Sequence, residues 1–241
     1  MKEAGRVPLL ITIKKLSTIG KDDYIMNKKE ATLLLNLLNA GDVDGIRAVL
    51  TNQVKELDAK DMMGNKFVAG IKAAKKEMKK QKTRPILQYS HIENEIQYFT
   101  DSYWAVALTE KYHTDLIENH GGNYGTYPCV ESFIPQAAHG NPVSVTADDI
   151  ANAWEPGGAP SAAGKKFLVL PHHDSYVFMN AAYAKMIMQI MGDGARWYTY
   201  GPHRPVLIES ERGRAVIVPI RMTGAGEKEY REYLAAQRVG A

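Results

Sequence analysis

In this sequence of 241 residues, a helical pattern is followed by a series of strand-like runs, and this order occurs twice. The first occurrence spans residues 65–135 and the second spans residues 141–222. In the first, apolar residues recur at helical spacing and then fall in short runs bounded by Gly, Pro or Asn, which is typical of strands. In the second, strand-like runs over 142–146 and 167–170 precede the helical pattern, and further strand-like runs follow it. Helices followed by several strands favour an α+β fold with antiparallel sheets over a parallel sheet.

The first helix is predicted over residues 66–82, with Asn65 as its N-cap. Its apolar stripe is formed by Phe67, Ile71, Ala74 and Met78. The helix is expected to stop before Pro85, because proline disfavours the α conformation in the preceding residue. The other faces are basic, and the basic residues are Lys72, Lys75, Lys76, Lys79, Lys80 and Lys82, followed by Arg84. Such a surface attracts phosphate groups of any sequence, but lysines also serve only to keep an exposed helix soluble.

Further along, the pattern predicts one strand over 95–108 and one helix over 175–191, ended by a Gly-Asp-Gly sequence. Three strands are predicted to follow, over 195–200, 205–209 and 215–222. Together with the first helix, these elements define a domain over residues 61–222.

Residues 1–60 are predicted to form an N-terminal helical hairpin, and residues 223–241 a polar C-terminal tail. The hairpin is inferred from apolar residues at helical spacing on both sides of an Asn-Ala-Gly sequence, with Asp42 or Asp44 as a cap of its second helix. A short strand is predicted over residues 9–16.

Composition restricts the class of protein. The net charge is only +3, but residues 1–83 carry 17 basic against 10 acidic side chains, whereas the remaining residues carry 13 against 17. The single cysteine, Cys129, excludes an internal disulfide and a cysteine-rich metal site, which suits the cytoplasm. The apolar run over residues 7–13 is too short to cross a bilayer. We therefore expect a cytoplasmic protein with no membrane partner and a local basic surface.

Three motifs, in order, are similar to those of a known family. They are RPIL at 84–87 leading to TDSY at 100–103, YPCVESFIP at 127–135, and AVIVPIRM at 215–222. This order resembles the bacterial DNA sliding clamp, the β subunit of the replicative polymerase, in a shortened, phage-encoded form. The resemblance implies a clamp-like α+β fold of two helix-plus-antiparallel-sheet halves, with helices facing double-stranded DNA. It implies no enzymatic activity.

The resemblance also implies a hydrophobic pocket for short peptides of DNA polymerase or other replication proteins. Its residues, carried over motif by motif, are Thr100, Ser102, Tyr103, Ala105, Pro128, Ser132, Phe133, Val216, Val218, Ile220 and Arg221. The family usually has Gly at the position of Ser102 and Met at that of Val218, and Trp104 is bulky enough to fill or reshape the groove. Alternatively, Val216, Val218 and Ile220 are ordinary core residues of one strand.

The predicted function is therefore that of a sliding-clamp-like processivity factor for DNA polymerase, without cofactor, metal or catalytic residues. A ring would require a homo-oligomer of six copies, or of three if the chain holds two compressed domains. One alternative is a clamp-derived protein-binding module that does not encircle DNA. Another is an unrelated enzyme using His172, His173 and Asp174, although no helical motif with two histidines four residues apart accompanies them and the other histidines are scattered.

Overall fold

The computed structural model of the chain describes residues 28–121, 125–157 and 166–239. These residues form a mixed α+β structure with an antiparallel sheet, as the sequence predicts. The helices are α1 (Lys28–Asn39), α2 (Val43–Met63), α3 (Asn65–Met78), α4 (Ala147–Ala151), α5 (Ala181–Met191) and α6 (Gly224–Val239). The strands are β1 (His91–Glu93), β2 (Ile96–Thr100), β3 (Trp104–Thr109), β4 (Asn141–Val143), β5 (Phe167–His172), β6 (Ser175–Asn180), β7 (Arg196–Thr199), β8 (Val206–Ser210) and β9 (Gly213–Ile217).

The chain divides into two compact units, residues 1–54 and residues 55–241, so the boundary falls within α2. In the first unit, α1 and the beginning of α2 present apolar side chains to each other. The carboxylate of Asp42 accepts a hydrogen bond from the N–H of Gly45 at 2.8 Å, so Asp42 caps α2 as predicted. The strand predicted over residues 9–16 lies outside the described residues.

The second unit is built on a seven-stranded sheet with the order β1-β2-β3-β9-β8-β7-β4. Every neighbouring pair in it is antiparallel. Strands β3 and β9 pair at the centre, with Trp104 opposite Ile217 and Leu108 opposite Gly213. The first three strands of the sheet thus meet the last three strands through this central pair.

Alternation along the strands gives the sheet two different faces. In β3, Trp104, Val106 and Leu108 point to the inner face, where they join the main core with α3 and α5, while Ala105 and Ala107 point to the outer face. Helices α3 and α5 pack side by side on the inner face. Both faces of the central strands are therefore buried.

The contact between α3 and α5 depends on one glycine. A Cβ atom at Gly70 would lie 2.7 Å from Cγ1 of Ile190 and 3.0 Å from its backbone nitrogen. The backbones can approach this closely only because Gly70 carries no side chain. At the end of the same contact, Lys66 forms an ion pair with Asp193 at 2.7 Å.

A smaller core lies around the hairpin of β5 and β6. Trp154, Phe167 and Phe178 pack there with Tyr230 of α6, so the described part of the polar tail is a helix anchored by an aromatic residue. The segment after β9 also reaches this core, because the N–H of Ile220 bonds to the carbonyl of Phe178 at 2.7 Å.

The prediction of one helix over residues 175–191 is wrong for its first six residues, which form β6. This segment pairs with β5 throughout, and the helix begins only after Asn180, whose side chain accepts a hydrogen bond from the N–H of Ala182. The Tyr-Val-Phe sequence within β6 favours a strand. The predicted end of the helix is confirmed, since Gly192 follows α5 with a φ of 89°.

Four other predicted features also need correction. The strand expected over 95–108 is broken by a turn between β2 and β3, and the strand expected over 215–222 already ends at Ile217. Helix α3 ends at Met78 rather than at residue 82, and its N-cap is Gly64 with no side-chain hydrogen bond, rather than Asn65.

Candidate functional site

Helix α3 has the predicted apolar stripe, but several of its lysines have partners within the molecule. Lys72 forms an ion pair with Glu56 at 2.5 Å, and Glu56 also pairs with Lys60 at 3.0 Å. Burial alone would raise the pKa of Glu56, but the hydrogen bonds from the two lysines outweigh it and lower this pKa. Lys72 is thus paired within the molecule, although its side chain remains exposed.

Two more of the predicted lysines are also engaged. The ammonium group of Lys75 is partly buried and donates to the carbonyl oxygen of Leu116 at 2.7 Å. Its burial, together with nearby Lys79, lowers the pKa of Lys75. Lys80 forms an ion pair with Glu77 at 2.6 Å.

Three predicted lysines are both exposed and without an ion pair to the described residues: Lys76, Lys79 and Lys82. Arg84 is exposed and donates to the hydroxyl oxygen of Ser102 at 2.7 Å. The unpaired charge of this surface is therefore concentrated around the C-terminal end of α3.

The second helix of the inner layer contributes one basic residue to a cavity that is not predicted from the sequence. Lys185 of α5 is exposed and lines a cavity of about 790 Å³ together with Lys66 and Lys166. Asp148 and Asp193 also line this cavity. A single lysine in an otherwise apolar helix gave little reason to expect such a grouping, which depends on residues distant in sequence.

The first motif forms a tight turn between β2 and β3. The carboxylate of Asp101 is buried and accepts hydrogen bonds from the N–H groups of Tyr103 at 2.8 Å and Trp104 at 3.2 Å. Thr100 is also buried, and its hydroxyl donates to the carbonyl of Trp104 at 2.5 Å. Ser102 has a φ of 83°, which is a conformation that glycine adopts most easily. This is the position at which the clamp family usually has Gly.

Trp104 does not enter the expected groove. Its side chain is 1% exposed and lies in the main core beneath the sheet, next to Phe99. The expectation that Trp104 fills or reshapes an outer groove is therefore wrong, because strand alternation places Ala105, and not Trp104, on the outer face.

The second motif crosses the outer face of the sheet. Tyr127, Val130 and Ile134 are buried there against β2, β3, β8 and β9, while Glu131 binds Arg214 at 2.7 Å. Burial and the neighbouring Glu131 raise the pKa of Tyr98 to about 12, since its hydroxyl donates to that carboxylate. Sequence reasoning assigned roles to the neighbours of Val130 and Ile134 but missed these two anchoring residues.

The predicted pocket residues of this second motif are more exposed to solvent than its anchoring residues. Phe133 is 64% exposed, Ser132 is exposed, and Pro128 is half-buried. Ser132 uses its hydroxyl to donate to the carbonyl of Cys129 at 2.7 Å. The motif thus presents a large apolar side chain to solvent beside the sheet.

The third motif meets the first directly. Ala105 lies opposite Val216 across the central strand pair, and the N–H of Val218 donates to the carbonyl of Tyr103 at 2.8 Å. Tyr103 is 59% exposed and Val218 is 39% exposed. Ala105 and Val216 also share the outer core with the second motif, so residues from all three motifs come together on this face.

Two predicted pocket residues lie elsewhere. Ile220 packs against the core around Trp154 and Phe178, away from the outer face. Arg221 is exposed, and its side chain makes no ion pair with the described residues. The strand ends before them, so the alternation that would have aligned them with Val216 does not continue.

The histidine-rich turn between β5 and β6 has a local structural role. His172 shares a hydrogen bond with the hydroxyl of Thr199 at 2.9 Å, and His173 packs edge-on against it. Among the described residues, no group of three or more His, Cys, Asp or Glu side chains has the arrangement of a metal site. In the same ranges, no helix is long and apolar enough to cross a membrane.

Comparisons of the chain with protein-family models, with curated proteins and with solved structures gave no match.

Proposed function

We propose that this chain is a sliding-clamp-like factor that binds duplex DNA without sequence specificity and tethers a DNA polymerase. The observation that carries the proposal is a repeated unit of one helix and three antiparallel strands. The first unit is α3 with β1–β3 and the second is α5 with β7–β9. Their last strands, β3 and β9, pair antiparallel at the centre of the sheet.

The placement of the two helices supports the same proposal. Both lie on the inner face, and their exposed sides carry Lys76, Lys79 and Lys185. Hydrated ammonium groups on such a wall attract phosphates while allowing the duplex to move along it. The loss of Lys72, Lys75 and Lys80 to internal partners makes this attraction weaker than the sequence alone suggests.

The DNA-binding part is tested by changing Lys76, Lys79 and Lys82 together to Glu. A matched control changes three exposed basic residues outside this surface, Lys111, Arg204 and Lys228, also to Glu. Anisotropy of a labelled duplex of random sequence is measured over a series of salt concentrations. We expect weak binding by the wild type and the control, with log affinity falling by roughly 0.9 per phosphate contact for each unit of log salt.

The first variant should lose this binding, because three attractive contacts become repulsive. If it binds as well as the control does, the basic end of α3 is not a DNA surface and the proposal fails at this point.

A second candidate function is supported by a different observation. Phe133, Tyr103 and Val218 expose apolar surface around the place where the three motifs meet. A protein-binding module that does not encircle DNA would need only this surface. Peptide binding that persists in a variant without DNA binding, in a chain that stays monomeric, would favour this second function.

A further inference from the structure

A second cleft lies beside β5, and residues of α4, β5 and α6 line it. It has a volume of about 310 Å³, and five consecutive residues of β5, 167–171, line it. Consecutive side chains of a strand point to opposite faces of the sheet. Because five consecutive residues line the cleft, the strand faces it with its backbone edge and not with one of its faces. Trp154 and Tyr233 form the aromatic part of the walls, and Asp148 and Asn152 lie on the polar rim.

The register of the hairpin decides which backbone groups face the cleft. The two-residue turn at His173 and Asp174 makes His172 and Ser175 a hydrogen-bonded pair, so every second residue of β5 from His172 bonds to β6. The intervening residues direct their N–H and C=O groups to the outside. This assignment agrees with Phe167, whose N–H and C=O both bond outward to Trp154, at 2.7 Å and 3.0 Å.

By the same alternation, Val169 directs its N–H and C=O into the cleft. No backbone group of the described residues pairs with them there. On the other strand of the hairpin, the equivalent carbonyl of Phe178 is covered by the N–H of Ile220. Val169 is therefore a partly buried strand edge whose N–H and C=O have no backbone partner among the described residues, which is the arrangement that recruits an additional strand.

The charges around the cleft restrict what that strand can be. Asp148 and Asp149 both line it, whereas no lysine or arginine of the described residues does. Asp149 is held in a capping box with Thr146. Asp148 is exposed and forms no ion pair with the described residues.

We infer that this cleft binds a short, extended, basic peptide segment of a partner protein, which pairs with the backbone of Val169 and places a Lys or Arg side chain beside Asp148. An aromatic side chain such as Tyr233, which is 38% exposed, suits the alkyl stem and charge of such a residue. The inference does not depend on DNA binding or on the outer face of the sheet.

The test is a selection of heptapeptides from a random display library on the full chain, followed by titration of the best labelled peptide. Val169→Pro removes the free N–H and fills the edge, while the bonds to β6 remain because proline is tolerated at an outward-facing edge position. Val169→Ala is the matched control, because it loses more of the side chain but keeps the N–H. Asp148→Asn removes the charge.

We expect the selection to enrich Lys and Arg. The best peptide should bind the wild type and Val169→Ala alike, at least tenfold more weakly to Val169→Pro, and severalfold more weakly to Asp148→Asn. Slower hydrogen exchange of the Val169 amide in the wild type with bound peptide would support pairing without relying on any variant. No enrichment, enrichment of acidic peptides, equal binding to Val169→Pro, or unchanged exchange of that amide would each overturn the inference.

Discussion

The carboxylate of Asp101 is buried at the turn between β2 and β3. Burial raises the pKa of Asp101, although hydrogen bonds from the N–H groups of Tyr103 and Trp104 and from Tyr183 act in the opposite direction. The folded state therefore holds this proton more tightly than the unfolded state does. The stability that Asp101 contributes is greatest at pH values below its ordinary pKa and is lost as the pH rises through the raised pKa.

Replacing Asp101 with Asn removes this dependence, because the amide oxygen still accepts both N–H groups but carries no charge. We expect the free energy of unfolding of Asp101→Asn, relative to that of the wild type, to increase as the pH rises from acidic values toward neutral. Urea denaturation at a series of pH values measures it. A relative stability that is constant or decreases over this range would contradict the assignment.

Phe133 is the most accessible apolar side chain among the predicted pocket residues, at 64% exposure. Its replacement by Ala should change stability by no more than about 0.5 kcal/mol, as is usual for surface positions. A labelled peptide of the Gln-x-x-Leu-Phe type should bind the wild type with a Kd in about the micromolar range, because ordering costs offset most of the gain from its two apolar side chains.

Phe133→Ala should weaken this binding by about tenfold, or 1.4 kcal/mol. Lys76→Glu on the helical side serves as the control and should bind as the wild type does. Titration of the peptide into both variants measures the difference. Equal affinities, or no binding by the wild type, would mean that the outer face does not hold such peptides.

At the scale of elements, the crossing of α3 and α5 holds the inner layer together through Gly70. Gly70→Val should lower the free energy of unfolding by about 1–3 kcal/mol, because the new side chain overlaps Ile190 and the two helices must separate. The neighbouring Ala69 is exposed, so Ala69→Val should cost only about 0.5 kcal/mol through helix propensity. Urea denaturation of the two variants compares them, and similar losses would show that the crossing is not tight.

The sequence predicts elements whose patterns are local. Helix α3 follows from the spacing of Phe67, Ile71, Ala74 and Met78, and all four are buried as expected. Strand β6 was missed because its apolar run leads directly into α5, and a short buried run does not distinguish a strand from a helix. The Asn that caps α5 was the one local mark of the boundary.

Candidate sites are harder to predict than elements, because they depend on partners distant in sequence. Nothing near Lys75 in sequence indicates that its ammonium group binds the carbonyl of Leu116, 41 residues away. Likewise, the conformation of Ser102 follows from the turn, whereas the inward direction of Trp104 follows from the register of β3 against β9. The order of the motifs predicts that Tyr103, Phe133 and Val218 lie near one another. The motifs do not indicate that β9 ends at Ile217, and it is this end that places Ile220 in another core.

At the scale of the whole molecule, the seven-stranded sheet ends in two short strands, β1 and β4, of three residues each. Contact between the β1 end of one copy and the β4 end of the next would be heterologous, and a heterologous contact closes into a ring when the rotation between copies allows it. A ring is what holds a clamp on DNA without specific contacts. The proposal therefore requires self-association as well as a basic helical surface.

The molar mass in solution, measured by light scattering during size exclusion, tests this requirement most directly. The account predicts a closed oligomer of three or six chains, with a mass of about 80 or about 160 kDa for a chain of 26.8 kDa. The mass should stay constant as the protein is diluted over the range in which duplex binding is observed. A single species with the mass of one chain over that range would contradict the clamp-like account.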